Sequence, residues 1–207
     1  MTQLLAVTEY LDSLAAVEAQ FNLSRNDDRA FFPEWLDNLP EITPAQQQRL
    51  DLIKQRYHYH RQYGNLLEGA VNFIVIAPLL EMAGFYDPPF HLRSEVSLKI
   101  EVIDQQDRIY QGRIDSLVLQ EHLWIVLVKS KRTSFSAELA LPQALAYMVA
   151  NPQRETPTFG LVSNGAYSIF VKLHQSQYSF SDDFSLNRRQ NELYQVLQIL
   201  DRLKFYP

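Results

Sequence analysis

Two lysines follow an uninterrupted apolar run and are the first candidates for chemistry in this sequence. Residues 123–128 are all apolar, and Lys129 and Lys131 come directly after them. Because side chains two positions apart on a strand share a face, both lysines would extend the face that Leu127 occupies. Ammonium groups beside apolar surface are costly unless they pair with acids or act on a bound group. The pattern predicts a cationic site at the end of a buried strand; alternatively, the strand ends at residue 128 and both lysines are solvated.

Two acidic residues are candidates for pairing with these lysines. Asp115 follows Ile114 on the preceding predicted strand and is the nearest counter-charge across the expected hairpin. Glu68 lies early in the helix that precedes the predicted sheet and is the second candidate. An ion pair with either carboxylate would offset part of the cost of burying an ammonium group.

The elements that would position these residues are predicted from hydrophobic period and turn signals. From residue 95 the period changes from helical to alternating, which is typical of strands. An apolar run without alternation indicates a central strand that is buried on both faces. The predicted order is helix 66–83, strands 95–103, 109–119 and 123–128 with a turn at 104–107, helix 137–150, strands 158–162 and 167–173 around Asn164-Gly165, and helix 186–203.

The first 62 residues are predicted to be helical. Apolar residues between Leu4 and Val17 recur at roughly helical spacing, with Thr2 as the candidate N-cap. Thr43 followed by Pro44 and, three residues on, Gln46 predicts a capping box. The helix that this box opens should run from Pro44 to about residue 62.

Length and composition fit one compact domain. The chain has 207 residues, of which 46% are hydrophobic and 21% charged, and this is ordinary globular composition. We place the one internal boundary near Gly64, which gives a helical N-terminal extension, residues 1–63, and a core, residues 64–207. The expected fold class is α/β (α+β), with a mixed central sheet flanked by helices.

Several function classes are excluded by residues or motifs that the sequence lacks. The absence of cysteine excludes disulfides, cysteine-ligated zinc and thiol nucleophiles. No phosphate-binding loop occurs, so no nucleotide triphosphate is expected as a partner. The longest apolar run, residues 70–80, is too short to span a membrane, and the N-terminus does not resemble a signal peptide. We therefore expect a soluble cytoplasmic protein that has no membrane partner.

A net charge of −5 argues against nucleic-acid binding by the whole surface, so such binding would need a local patch. Residues 49–63 carry four basic residues, one acidic residue and three interleaved tyrosines. Basic and aromatic side chains together are typical of surfaces that bind single strands. The alternative is a solvated helix face with packed tyrosines.

A family resemblance adds to this interpretation. Residues 112–119, GRIDSLVL, followed by LWIVLVKSK at 123–131, resemble the motif of PD-(D/E)XK nucleases. The likeness is greatest to the nuclease domain at the N-terminus of type I restriction-enzyme R subunits. Gln143 to Tyr147 fits the QxxxY motif of that branch, residues 158–165 resemble its next strand and turn, and Glu68 with 78–80 resembles its opening helix. The resemblance covers about residues 64–173.

The resemblance implies a restriction-endonuclease-like fold and a Mg²⁺-dependent DNA nuclease. It assigns Asp115 as the metal carboxylate, Glu68 as an outer metal acid and Lys131 as the catalytic lysine that positions or activates the attacking water. A hard cation held by carboxylates stabilises charge on phosphoryl oxygens during hydrolysis. The implied nucleic-acid contacts are Gln143, Tyr147 and Arg132.

The sequence departs from the family motif at Lys129, where the motif has Glu or Asp. The change removes an oxygen ligand and places an ammonium group beside a dication. We hypothesise that Lys129 pairs with Asp115 or Glu68 and replaces the metal electrostatically, so that hydrolysis is impaired. Alternatively, Glu95 or Glu138 supplies the second acid. A further alternative is a non-catalytic nucleic-acid-binding or protein-interaction module on the same fold.

Overall fold

The structure is a computed structural model that describes residues 4–6, 12–64, 66–101, 109–120, 123–124, 140–151 and 155–204. Within these ranges, the backbone alone is described for residues 4–6, Glu68, 92–101, 109–120 and 123–124.

One mixed sheet of nine strands runs through the described residues. The strands are β1 (Leu4–Ala6), β2 (Ser24–Arg25), β3 (His91–Glu101), β4 (Ile109–Gln120), β5 (Leu123–Trp124), β6 (Thr158–Ser163), β7 (Tyr167–His174), β8 (Gln177–Phe180) and β9 (Phe184–Ser185). Their order is β1-β4-β5-β6-β7-β8-β2, with β3 on the second edge of β4 and β9 beside β7.

The helices in the described ranges are α1 (Leu14–Phe21), α2 (Pro44–Arg61), α3 (Glu68–Val71), α4 (Ala77–Met82), α5 (Leu141–Val149) and α6 (Leu193–Lys204). A 3-10 turn covers Pro33–Trp35, and a π-helical segment, Asn72–Ile76, joins α3 to α4. None of these helices combines the length and the apolar character needed to cross a lipid bilayer.

The centre of the sheet has the predicted order of strands and helix. β3, β4 and β5 are antiparallel neighbours, and β5 is parallel to β6. Parallel neighbours need a long crossover, and α5 lies between them in the chain. The fold is therefore mixed α/β, as the sequence predicts.

Two hydrophobic clusters place helices on both faces of the sheet. Phe159 and Phe170 pack in a cluster with α2, α4 and α6, whereas Val162 and Val171 pack with α1 and α5. Neighbouring residues of β7 thus lie in different clusters, because side chains alternate across a strand. Helices α2, α4 and α6 therefore pack on one face of the sheet, and α1 and α5 pack on the other.

The N-terminus differs from the predicted helix. Leu4–Ala6 forms β1, which pairs in parallel with the start of β4, and α1 begins only after Ser13. The Ser13 hydroxyl accepts a hydrogen bond from the Ala16 backbone amide, so Ser13 is the N-cap in place of Thr2. A short apolar run does not distinguish strand from helix by period, and pairing with β4 decides the outcome here.

The predicted capping box of α2 is confirmed. The Thr43 hydroxyl accepts from the Gln46 backbone amide at 3.3 Å, and the Gln46 side chain accepts from the Thr43 amide at 2.9 Å. Pro44 occupies the first turn, where its missing N–H leaves no bond unmade.

The β6–β7 hairpin is confirmed, but its turn lies one residue later than an Asn-Gly turn would. The Asn164 amide donates to the Tyr167 carbonyl, so Gly165 and Ala166 are the central residues. Gly165 has a φ of +80°, and the Asn164 side chain accepts from the amides of Ala166 and Tyr167. A Cβ at Gly165 would clash with Val71 Cγ1, so both the backbone angle and the close packing require glycine.

Candidate functional site

The backbone register of β3 and β4 places an acidic residue opposite Asp115. Ser94 pairs with Ser116 and Val96 pairs with Ile114, so Glu95 is the residue opposite Asp115. Directly opposed residues of antiparallel strands lie on the same face, with Cβ atoms about 4.5–5.5 Å apart. Glu95, one of the two alternative acids, is thus brought to the register position of Asp115.

Two arginines lie at register positions next to Glu95 and Asp115. Arg113 is paired with Ser97, and Arg93 is paired with Leu117, so an arginine follows on either side of the acid pair. Like charges directly opposite each other on neighbouring strands are destabilising, and a nearby cation offsets this repulsion. A divalent metal or the two arginines could supply this positive charge.

The other motif residues have no described side chain. Lys129, Lys131, Arg132 and Glu138 lie outside the described residues. Glu68 is the first residue of α3, which matches its predicted place early in a helix, but its side chain is also outside the described set. Among the described side chains, no group of three His, Cys, Asp or Glu residues is placed to hold a metal.

Gln143 and Tyr147 are brought together on α5. The Gln143 side-chain amide donates to the Tyr147 hydroxyl at 2.8 Å, as residues one turn apart on a helix can. Tyr147 is only 1% exposed and packs in the cluster beneath α5, where Leu145 and Met148 are also buried. In this conformation the tyrosine ring is part of the core, and the half-buried Gln143 is the more accessible member of the pair.

Most of the basic side chains in the basic and aromatic stretch, residues 49–63, contact other groups of the protein. Arg49 forms an ion pair with Glu81 at 3.0 Å, and Lys54 donates to the backbone carbonyls of residues 188–190. Arg61 donates to the hydroxyl of the buried Tyr57 at 2.7 Å. The stretch therefore presents fewer mobile cations than its sequence suggests.

A buried ion pair was not among the predicted sites. Lys172 on β7 donates to Glu34 in the 3-10 turn at 2.6 Å, and the two side chains are 8% and 5% exposed. The Lys172 ammonium also lies 5.4–6.0 Å from the ring centroids of Phe31, Phe32 and Phe159. Strand alternation could have indicated this lysine, because position 172 shares a face with the buried Phe170. Its partner is 138 residues away, and nothing local in the sequence identifies it.

Tyr178 and Asp201 are among the described groups whose pKa values are raised. Burial and the hydrogen bond from its hydroxyl to Glu18 raise the pKa of Tyr178. Burial also raises the pKa of Asp201, and the Lys204 ammonium 3.6 Å away opposes part of that shift. Tyr178 lies in the hydrophobic core and Asp201 lies on α6 beside Lys204, so both pKa shifts result from the packing of the fold.

No family model matches the chain, and no curated protein is significantly similar to it. The motif residues and the register of β3 and β4 are therefore the features of this chain that point to a function.

Proposed function

We propose that this protein acts on DNA as a restriction-endonuclease-like protein of the PD-(D/E)XK type, with Mg²⁺-dependent phosphodiester hydrolysis impaired by Lys129. The observation that carries the proposal is the register position of Glu95 opposite Asp115. Fold alone does not supply function, so the acid pair is what links the α/β architecture to hydrolysis.

The donor set fits a hard cation in part. Asp115 and Glu95 offer carboxylate oxygens from adjacent strands, and Mg²⁺ is bound through one or two carboxylates together with water and substrate phosphate. These two residues would hold the ion, and Glu68 would be an outer ligand. When bound, Mg²⁺ stabilises negative charge on the phosphoryl oxygens.

The roles of the remaining residues follow from their charge. Lys131 would position the attacking water, and Arg132 and Gln143 would contact the nucleic acid, with Tyr147 holding Gln143 in place through its hydroxyl. Lys129 would compete with the metal for Asp115, because an ammonium group near a carboxylate replaces the cation and repels a dication. Hydrolysis should therefore be slow or lost in the natural sequence.

A second function is favoured by the two arginines at the register positions next to Glu95 and Asp115. Arg93 and Arg113 lie at the register positions next to the Glu95–Asp115 pair and could neutralise it without a metal. In that case the protein is a non-catalytic nucleic-acid-binding or protein-interaction module on the same fold.

Cleavage of plasmid and single-stranded DNA with Mg²⁺ or Mn²⁺ tests the proposal. The natural protein is compared with Lys129→Glu, and each is then combined with Asp115→Ala or Glu95→Ala. Glu101→Ala is the matched control, because Glu101 lies on the same strand and face but opposite Ile109. We expect Lys129→Glu to cleave faster than the natural protein, and either acid substitution, but not Glu101→Ala, to abolish that gain.

Binding of Mn²⁺, followed by the electron paramagnetic resonance signal of the free ion, is a second readout that does not need turnover. Lys129→Glu should bind the ion more tightly than the natural protein, and Asp115→Ala should weaken that binding. If no variant binds Mn²⁺ or cleaves DNA, the hydrolytic proposal is wrong and the non-catalytic alternative replaces it.

A further inference from the structure

The outer surface of α2 carries a row of side chains that the packing of the core does not use. Leu52, Arg56, Tyr59 and Tyr63 follow one another at spacings of four, three and four residues, so they form one stripe along the helix and its C-terminal turn. We call these four residues the tyrosine stripe. The buried face of the same helix is formed by other residues, which include Leu50 and Tyr57.

The two tyrosine rings of the stripe are exposed and adjacent. Tyr59 and Tyr63 are 55% and 75% exposed, and their ring centroids are 5.4 Å apart at an interplanar angle of 69°. In an edge-to-face pair the edge of one ring points at the other ring, so the two rings do not cover each other by parallel stacking. Tyr59 also contacts the His60 ring at 5.2 Å, so the rings support one another in their exposed positions.

Arg56 is the one cation among the four residues of the tyrosine stripe. Residues 52–63 include Lys54, Arg56 and Arg61 but no acidic residue, in a chain whose net charge is −5. Lys54 and Arg61 lie about 180–200° round the helix axis from Leu52, where they bond to backbone carbonyls and to the hydroxyl of the buried Tyr57, so they are not part of the stripe. Arg56 is exposed and forms no ion pair with any described side chain.

We propose that the tyrosine stripe binds single-stranded nucleic acid. Bases would stack on Tyr59 and Tyr63, and a phosphate would pair with Arg56. Stacking is tolerant of sequence because every base has a π-face, and a positive surface tracks the backbone. A protein partner is the weaker candidate, because Leu52 is the one aliphatic member of the stripe and the exposed Gln55 and Gln62 border it. The site lies outside the motif region and does not depend on a metal.

Fluorescence anisotropy of a labelled twelve-nucleotide oligothymidylate, measured with excess EDTA, tests the proposal. The double variant Tyr59→Ala, Tyr63→Ala should raise Kd about tenfold or more for each ring removed. The double Tyr→Phe variant should bind like the natural protein because it keeps both rings. The exposure of the two residues predicts an unchanged fold, which circular dichroism checks.

The salt dependence of Kd tests the role of Arg56. Each phosphate contact contributes about 0.7 to the slope of log K against log salt for a single strand, so Arg56→Gln should reduce the slope by about that amount. Arg189→Gln is the matched control, because Arg189 is an exposed arginine outside the stripe. An equal effect of both substitutions would mean non-specific attraction and would overturn the proposal.

Two more measurements separate this inference from its competitors. If the natural protein binds the oligonucleotide in EDTA but neither it nor Lys129→Glu cleaves DNA, the proposed hydrolysis is contradicted and the tyrosine stripe is supported. Cleavage by Lys129→Glu without ring-dependent binding in EDTA would have the opposite meaning. If the double Tyr→Ala variant binds the oligonucleotide normally, the proposal is wrong. If it instead dissociates a dimer in sedimentation experiments, the stripe joins two copies of the chain.

Discussion

Replacing one member of the buried Glu34–Lys172 pair should destabilise the fold far more than replacing both. The pair joins the 3-10 turn before α2 to strand β7, with both side chains less than one-tenth exposed. Breaking a buried ion pair leaves an uncompensated charge and costs about 3–5 kcal/mol, whereas apolar replacement of the whole pair is neutral or stabilising by about 1–4 kcal/mol. The variants are Glu34→Leu, Lys172→Met and their combination.

The structure predicts that the two single substitutions have unequal effects. Without Glu34, the Lys172 ammonium keeps three phenyl rings within 6.0 Å, which stabilise a desolvated cation. Without Lys172, Glu34 loses the partner of Oε1, and its Oε2 is already buried without a hydrogen bond to any described group. Lys172→Met should therefore cost near the top of the range, and Glu34→Leu near the bottom.

Urea unfolding followed by circular dichroism measures the three changes in the free energy of unfolding. For a chain of this length, losses of about 3–5 kcal/mol correspond to a fall in Tm of about 6–20 °C, and the double variant should recover most of it. If the two single losses simply add in the double variant, the pair is not coupled. If each single loss is below about 1 kcal/mol, the pair behaves as a solvent-screened one, and the argument from burial is wrong.

Three further predictions concern the turn, the helix cap and one acid. Gly165→Ala should cost more than about 2 kcal/mol, because it combines an unfavourable positive φ with a clash against Val71; a thermal shift below 3 °C would contradict this. Thr43→Ala should cost about 1 kcal/mol in urea unfolding, whereas Thr43→Ser, which keeps the accepting hydroxyl, should cost much less. Since burial raises the pKa of Asp201 in the folded state, the native protein binds this proton more tightly than the unfolded chain, and stability from this group falls as pH rises through the folded pKa. Asp201→Asn should therefore raise Tm at pH 7, with a gain that shrinks as pH is lowered; a gain that grows at low pH would refute the sign.

Local signals predicted the elements of this fold better than its pairings. Thr43 and Gln46 define the start of α2 because both halves of a capping box are local interactions. By contrast, the two-residue strand Ser24–Arg25 exists only because it pairs with β8, and two residues carry no period. The tertiary context also decided that Leu4–Ala6 forms a strand.

Glu95 and Asp115 show how a one-residue difference in strand register limits the prediction of a site from sequence. A turn occupying residues 104–107 would place Glu95 opposite Ser116, with Asp115 on the other face of the ribbon. The observed register pairs Ser94 with Ser116, so Glu95 is opposite Asp115 and on its face. Because side chains alternate with a period of two, a slip of one residue exchanges the faces completely. The sequence suggests Glu95 as a second acid, but the register that places it opposite Asp115 is known only from the structure.

The sum of charges over residues 49–63 does not show which of these residues are available at the exposed surface of α2. Over residues 49–63 the sum is +3, but Arg49 is paired with Glu81, and Asp51 accepts hydrogen bonds from Asn191 and Tyr194 on the side towards α6. Lys54 and Arg61 lie on the opposite side of the helix from the tyrosine stripe, so Arg56 is the cation beside the two tyrosines. At physiological salt, exposed charges are screened beyond about 8 Å, so distant acids that make the whole chain negative contribute little at this surface. The net charge of the chain therefore does not argue against local binding of a polyanion, and the salt slope of Arg56→Gln is the measurement that decides it.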